Sequence, residues 1–314
     1  MNKIYCEAMS MSKRVVLAGG TGFIGQYFEK KYREEGYDIA IISRQEPHIN
    51  WNDREGILEA VDGASLVINL AGKSVNCRYN ERNKKEILNS RIDTTLIIGE
   101  TIEKCENPPA LWINSSTATI YRHAEDRPMT EDHGEEGEGF SVNVGKRWEE
   151  VFFCFNLPST RQAALRITIA LGKDGGVIPV YQNLVKFGLG GKQGSGEQMF
   201  SWIHIEDLYR IVRFIEARED MNGVFNCGSP NPVQNKELMR LLRQSMGRDF
   251  GMPATDWMLK AGAVVIRTEP ELILKSRWVL PSRLLRAGFI FAYPTLKLAL
   301  EEINSENMKN TNTA

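Results

Sequence analysis

After a mixed first dozen residues comes a short apolar run, Arg14-Val15-Val16-Leu17-Ala18, which stops at Gly19-Gly20-Thr21-Gly22. From Phe23 to about residue 35 the apolar positions recur at helical spacing, so the pattern predicts strand, glycine turn and helix. Gly36 closes that helix, and residues 38–43, Asp-Ile-Ala-Ile-Ile-Ser, read as a second strand of the β-branched kind found in buried parallel sheets. A complete βαβ unit therefore fits in about thirty residues. The alternation continues with a helix over 54–61, a strand over 66–70, helical stretches over 81–103, a strand over 110–115, a helix near 145–155 and a strand over 163–167. Strands alternating with helices predict an α/β fold on a doubly wound parallel sheet.

Past residue 171 the rhythm breaks. Positions 172–196 hold eight of the chain's 27 glycines, so no regular alternation is predicted there. Residues 202–217 and 224–228 read as a return to the sheet, and 229–304 as mainly helical, punctuated by Pro253, Pro270, Pro281 and Pro294. The predicted organisation is a nucleotide-binding domain over 11–171, rejoined by 202–228. Segments 172–201 and 229–304 form a smaller substrate or lid lobe over the carboxyl edge of the sheet. Ser305 to Ala314 are a polar tail expected to lack order.

Composition removes several classes of function. Lys and Arg number 39 against 40 Asp and Glu, without long blocks of one sign, so nothing attracts a polyanion and a nucleic-acid partner is not expected. Hydrophobic residues at 42% and charged ones at 25% of the 314 describe an ordinary folded globule. No apolar stretch approaches the ~18 residues of a membrane span; the best late candidate, Trp257 to Ile266, is short and carries Lys260. The first ten residues lack a secretory core, Met9 or Met11 serve equally well as the start, and the expected location is the cytoplasm. Cysteines at 6, 77, 105, 154 and 227 include no CxxC pair, so neither a disulfide framework nor a metal site is expected.

The chemistry concentrates at the first strand–helix junction. Gly19, Gly22 and Gly25 are spaced three apart, with Gly20, Thr21, Phe23 and Ile24 between them. One glycine permits the tight turn, one lets backbone N–H groups approach a pyrophosphate, and one lets helix and strand pack closely. The helix N-terminus adds its positive dipole end. A strand before and a helix after the motif supply the context that makes it a dinucleotide site. At the end of the second strand, where an acidic residue would bind the ribose 2′-hydroxyl of NAD, the chain has Ser43-Arg44. A hydroxyl and a guanidinium suit the 2′-phosphate of NADP, and the alternative for Arg44 is a solvated loop residue. Leu70-Ala71-Gly72, after Asn69, offers small side chains and bare backbone where adenosine would lie.

These features resemble the short-chain dehydrogenase/reductase superfamily in its extended branch of epimerases, dehydratases and reductases. Besides the glycine motif and Asn69-Leu70-Ala71-Gly72, the run Ser115-Ser116-Thr117-Ala118-Thr119-Ile120-Tyr121 resembles the Ser-Ser-Ser-Ala-x-x-Tyr stretch of sugar-nucleotide epimerases. A closer resemblance is to the atypical, epimerase-like family of YfcH type, with its C-terminal domain of unknown function. Its marks are Ser90-Arg91-Ile92-Asp93-Thr94-Thr95, Arg147-Trp148-Glu149, Gly188-Leu189-Gly190-Gly191, Gly194-Ser195-Gly196, Trp202-Ile203-His204-Ile205 and Leu280-Pro281-x-Arg283-Leu284-x-x-Ala287-Gly288-Phe289. The resemblance covers about residues 13–303 and implies a Rossmann domain with a smaller substrate lobe. It puts the hydroxyl that polarises a substrate carbonyl on Thr117. It puts a cofactor contact, an Asn in the family, on Arg91, whose competing reading is a helix-surface residue, with Glu86 lining the same cleft.

One departure bears on mechanism. The family's Tyr-x-x-x-Lys is missing: alignment by Arg147-Trp148-Glu149 places Phe140 and Val144 there, a shift of one gives Ser141 and Gly145, and keeping Lys146 puts Val142 in the tyrosine's place. Tyr27/Lys31 and Tyr293/Lys297 have the spacing but lie in the nucleotide-binding helix and near the chain end. Tyr121 is a candidate substitute acid, against an aromatic pocket wall. His204, two residues from Glu206 and three from Asp207, is a second, against a structural histidine. Seven carboxylates between Glu125 and Glu138 follow no metal-ligand spacing and read as a solvated loop at the cleft's rim. Two functions stay open: an NADP(H)-dependent oxidoreductase or epimerase-like enzyme acting on a carbonyl or hydroxyl substrate of unknown identity, and a non-catalytic NADPH-binding sensor or interaction protein.

Overall fold

A computed structural model describes residues 13–255, 258–259 and 274–311. The alternative starts Met1, Met9 and Met11 lie outside the described residues, as does most of the helical expectation over 256–273. Strands β1 (Arg14–Ala18), β2 (Asp38–Ile42), β3 (Leu66–Asn69), β4 (Leu111–Thr117) and β5 (Arg161–Ile167) alternate with helices α1 (Phe23–Glu34), α2 (Arg54–Val61), α3 (Glu81–Lys104) and α4 (Phe140–Phe153). There follow β6 (Ile169–Gly172), β7 (Gly175–Gly176), α5 (Ile178–Lys186), β8 (Met199–Phe200), β9 (Trp202–His204), α6 (Ile205–Glu216) and β10 (Gly223–Cys227). The last elements are β11 (Val233–Gln234), α7 (Asn235–Ser245), α8 (Ser282–Arg286) and α9 (Leu296–Thr311).

Six strands form one parallel sheet in the order β2-β1-β3-β4-β5-β10. Because β2 lies to one side of β1 and β3 to the other, the connections diverge at β1, and a crevice opens beyond the carboxyl ends of β1 and β3. Both faces are covered, which explains the uninterrupted apolar runs. On one face Val15, Leu17, Leu66, Ile68, Ile113 and Leu165 pack with Phe28 and Tyr32 of α1 and Leu208, Ile211 and Ile215 of α6. On the other, Val16, Ala18, Val67, Trp112 and Ala164 meet Ile57 and Val61 of α2, Ile98 and Ile102 of α3 and Phe152 of α4. Side-chain caps fix two helix starts, Asp53 on the Gly56 N–H at 2.9 Å and Asn80 on the Asn83 N–H at 2.8 Å.

The later chain differs from the pattern's prediction in three places. Residues 202–204 do not rejoin the main sheet; they pair with β6 in a small three-stranded sheet, while α6 covers the main sheet and β10 forms its edge. Helix α5 lies inside the glycine-rich segment. Its start carries a proline in the first turn, and Ile178 and Val185 are buried against Trp202, Leu238, Leu242 and Leu300 in a separate apolar cluster. The flanking glycines obscure its short period. Finally, α9 continues through Thr311, so the polar residues 305–311 extend a helix.

Candidate functional site

Gly19 and Gly25 of the glycine turn adopt the tight-turn and close-packing geometry expected of them. Gly19 has φ +76°, and a Cβ there would lie 2.7 Å from the Ala71 Cα; only glycine brings β1 this close to the end of β3. A Cβ on Gly25 would sit 2.4 Å from the Gly20 carbonyl oxygen, so this glycine lets α1 pack on the turn. Gly22 differs: it is exposed, and the nearest atom to its Cβ would be the Gly19 carbonyl oxygen at 3.8 Å. Its open face lies at the N-terminus of α1, where a pyrophosphate would be received. Phe23 has a second task, because Cβ atoms on Gly172 and Gly175 would come within 2.9 and 2.6 Å of its ring. The hairpin of β6 and β7 thereby clasps the start of α1.

At the end of β2, Ser43 is buried, with its hydroxyl 3.2 Å from that of Thr21 and accepting the Gln45 N–H at 3.1 Å. Arg44 beside it is exposed, and no hydrogen bond or ion pair holds it among the described residues. Leu70 donates its N–H to the Ala18 carbonyl at 2.8 Å, tying β3 to β1. Ile24 packs against the core beneath the turn.

From Ala71 a continuous floor runs toward β4. Asn69, fully buried, accepts the Ala71 N–H at 3.1 Å and donates to Asn114 at 2.8 Å and Thr95 at 3.2 Å. Trp148 of α4 donates its indole N–H to the same Thr95 hydroxyl at 3.0 Å. Arg91 lies over the Trp148 ring at 5.0 Å and under Gly72, whose Cβ would approach the guanidinium carbon to 3.0 Å. It donates to the carbonyls of Lys73 at 3.1 Å and Ile87 at 2.9 Å, and no carboxylate pairs with it among the described residues. Burial pushes its pKa down to about 10. Of the two readings of Arg91, the structure contradicts the helix-surface one. Glu86 sits at the rim, bonded to Lys73 and to Arg82, whose hydrogen bonds lower its pKa to about 2.

Helix α4 resolves the register left open by the missing pair. Val142 and Val144 are buried, whereas a Cβ on Gly145 would lie 3.0 Å from the Thr117 methyl group. Ser141, one turn earlier, and Trp148, one turn later, share that face. Positions 141 and 145 therefore look toward Thr117, and they carry a hydroxymethyl group and a hydrogen atom. Lys146 is turned to Glu136 at 2.6 Å. The Thr117 hydroxyl accepts the Thr119 N–H at 3.1 Å, capping the 3₁₀ turn Ala118–Ile120, and its own O–H has no acceptor among the described residues.

Members of known families align with this chain over nearly its whole length. Residues 15–138 match the NAD dependent epimerase/dehydratase family, and residues 254–303 match a domain of unknown function, DUF1731. The epimerase family protein SDR39U1 of Mus musculus is 33% identical over 299 residues, covering 92% of this chain and 99% of its own. The chain belongs to the SDR39U1 epimerase family. YfhF of Bacillus subtilis is a bacterial relative, 28% identical, covering 92% of this chain and 97% of its own. The crystal structure of human SDR39U1 with NADPH superposes with a TM-score of 0.85 at 30% identity, over 93% of this chain and 99% of that one. A UDP-N-acetylglucosamine 4-epimerase from Bacillus cereus, 18% identical with a TM-score of 0.74 over 94% and 96%, shares the fold. The chain is thus an atypical, extended, epimerase-like short-chain dehydrogenase/reductase with a Rossmann-type sheet. No helix among the described residues is long and apolar enough to cross a membrane.

Three sequence expectations need revising in this family member. The Tyr121 hydroxyl is enclosed by Asn226 at 2.9 Å, the Thr130 carbonyl at 3.2 Å and Arg166 at 2.8 Å, with the Arg166 guanidinium 5.0 Å above its ring. Burial raises its pKa, and Arg166 only partly offsets the rise. This is a packed phenol with its proton committed, which removes the ground for reading Tyr121 as the acid. His204 caps α6 through its Nδ1, taking the Glu206 N–H at 3.2 Å, while its Nε2 meets Glu302 at 3.0 Å. Glu302 holds the ring, and Asp207 instead accepts the N–H groups of Ala292 at 2.7 Å and Tyr293 at 2.8 Å. The acidic loop is anchored, since Glu131 accepts the Ser282 hydroxyl at 2.6 Å and the Asn226 N–H at 2.9 Å, and Asp132 pairs with Arg286 at 2.6 Å.

Sequence reasoning also missed a buried ion pair. Arg166 of β5 makes two hydrogen bonds to Glu149 of α4, at 2.8 and 2.7 Å, and Ser116 donates to the same carboxylate at 2.5 Å. Glu149 was visible only as part of a family mark; its partner carries no local signal, because a strand arginine reads as an edge residue.

Proposed function

We propose that the protein binds NADPH and interconverts a carbonyl and a hydroxyl group on a small substrate held at Thr117. The observation that carries the cofactor choice is the end of β2, where a buried Ser43 hydroxyl and an exposed Arg44, unpaired among the described residues, replace an acidic residue. The open face of Gly22 fits a pyrophosphate against the α1 N-terminus, and the NADPH in the human relative's crystal structure supports the same choice. In this reading the residues 19–25 cradle the pyrophosphate. Thr21, Ser43 and Arg44 take the 2′-phosphate, Leu70-Ala71-Gly72 lie along the adenosine, and Arg91 and Glu86 border the cleft beyond. Bound NADPH supplies or accepts a hydride. The Thr117 O–H donates to the substrate oxygen, and its acceptor lone pairs are held in place by the Thr119 N–H.

The α4 face favours the rival reading of a cofactor sensor, because Ser141 and Gly145 cannot reproduce a lysine-activated tyrosine. Calorimetry with NADPH, followed by NADPH oxidation against a panel of ketones and aldehydes, separates the two. Turnover that disappears in Thr117→Val with cofactor binding intact supports the enzyme. Tight NADPH binding with silence across the panel supports the sensor, and absence of NADPH binding overturns both.

A further inference from the structure

The floor of the cleft ends at a phenol that the motif comparison does not single out. Tyr79 stands in the loop between β3 and α3, just before the Asn80 cap. Its hydroxyl is 3.4 Å from the Ser141 hydroxyl, and its ring meets Phe140 edge-on at 5.0 Å. Ser141 is one turn from Gly145, the residue that faces Thr117. A phenol delivered from the loop thus reaches the place on α4 where the family's own tyrosine is absent. A cation is also present: the Arg91 guanidinium lies on Trp148, at the other end of the 141–145–148 face, without a carboxylate among the described residues. It is close enough to Tyr79 for a phenolate there to stabilise its charge. Lys84 of α3, 5.9 Å from the Phe140 ring, is paired with Glu81 at 3.0 Å, so Arg91 is the cation that the phenol is set against.

Resting on the oxidoreductase reading above, we infer that Tyr79 is the proton donor of this cleft and that Arg91 takes the place of the missing lysine as its charge partner. In the reducing direction the Tyr79 O–H bond breaks and its proton passes to the carbonyl oxygen, while the carbon accepts the hydride from the reduced nicotinamide dinucleotide. The C=O becomes CH–OH and the dinucleotide is oxidised. The electron pair of the broken bond remains on Tyr79 as a phenolate facing Arg91, and water returns a proton. Gly145 leaves the space between Ser141 and Trp148 clear for the substrate oxygen to lie against Thr117.

Two measurements test this. In the first, NADPH oxidation on the ketone and aldehyde panel is compared for the wild type and Tyr79→Phe; a positioned general acid is worth ~10² to 10⁴ in rate. A loss of that size in kcat, with KM and NADPH affinity little changed, is expected, and unchanged turnover overturns the proposal. The second needs no substrate: tyrosinate absorbance is followed against pH in the full chain. One transition should vanish in Tyr79→Phe and move to higher pH in Arg91→Gln. A Tyr79 transition indifferent to Arg91 overturns the proposal. If the wild type turns over nothing, the oxidoreductase reading fails, and the titration alone judges the phenol and its cation.

Discussion

Gly22→Val separates what the glycine turn does for the fold from what it does for the ligand. Gly22 has φ −82° and ψ 172°, extended backbone that a β-branched residue adopts readily. Its Cβ would meet no atom closer than 3.8 Å. Folded stability should therefore change by no more than ~0.5 kcal/mol, as at an ordinary surface position. Binding should not survive, because the isopropyl group fills the face through which the pyrophosphate approaches the backbone. Losing two charge-assisted hydrogen bonds at roughly 1.5 to 3 kcal/mol each corresponds to about 10² to 10⁴ in affinity. Gly25→Ala provides the contrast: its single methyl group would lie 2.4 Å from the Gly20 carbonyl oxygen, which is backbone and cannot swing away. Overpacking of that kind costs ~1 to 3 kcal/mol and should lower the urea midpoint. Urea unfolding and calorimetry with NADPH on the two variants form the assay. A folded Gly22→Val that binds NADPH like the wild type refutes the site, and a Gly22→Val that unfolds refutes the geometry.

Arg44→Ala should weaken NADPH binding about ten- to a hundredfold while leaving NADH unchanged, since only the 2′-phosphate loses its partner; equal losses for both cofactors in calorimetry would count against it. Glu149→Gln should cost about 3 to 5 kcal/mol in chemical denaturation, because it leaves the Arg166 guanidinium buried without its carboxylate. Burial disfavours the Arg166 charge, yet the Glu149 carboxylate outweighs that and holds its pKa above the ordinary value. Burial lowers the pKa of His204 even though Glu302 opposes the shift. The unfolded chain therefore binds this proton first. Stability is fully present above the unfolded value of about 6.5 and is lost as pH falls through the folded value. Urea midpoints measured from about pH 8 down to pH 5 should fall in the wild type and flatten in His204→Asn, which keeps an N-cap acceptor; parallel curves would exclude His204 as the source.

The Rossmann half of the molecule was readable because its elements obey one rule each. Parallel strands buried on both faces appear as unbroken apolar runs at 15–18, 39–42 and 66–68, and the spacing of the glycines states the geometry that Gly19 and Gly25 adopt. The lobe was less legible for a physical reason. Helix α5 spans nine residues between glycine-rich stretches, too short for its period to stand out, and its buried face becomes apolar only against Trp202, α7 and α9, which are distant in sequence. The acidic loop misled for the related reason that composition does not show partners. Glu131 and Asp132 look solvated until α8 arrives about 150 residues later to receive them.

The Thr117 side of the cleft shows how two sequence facts become one structural fact. A motif comparison registers a missing tyrosine and lysine on α4 and, separately, an arginine in place of a family asparagine on α3. In space these are a single exchange. Gly145 vacates the volume a lysine would occupy beside Thr117, and Trp148, three residues on, offers the aromatic face on which Arg91 lies. Positive charge at the cleft is therefore supplied from α3, held by the Lys73 and Ile87 carbonyls and covered by Gly72. An arginine fixed in this way keeps its proton even with its pKa pulled to about 10, so at neutral pH it is a permanent cation. A lysine in the same desolvated place would give up its proton far more readily. On the oxidoreductase reading proposed above, the exchange would preserve the charge that an anionic transition state needs while moving its source to a different helix, and would leave α4 free to present only small groups to the substrate.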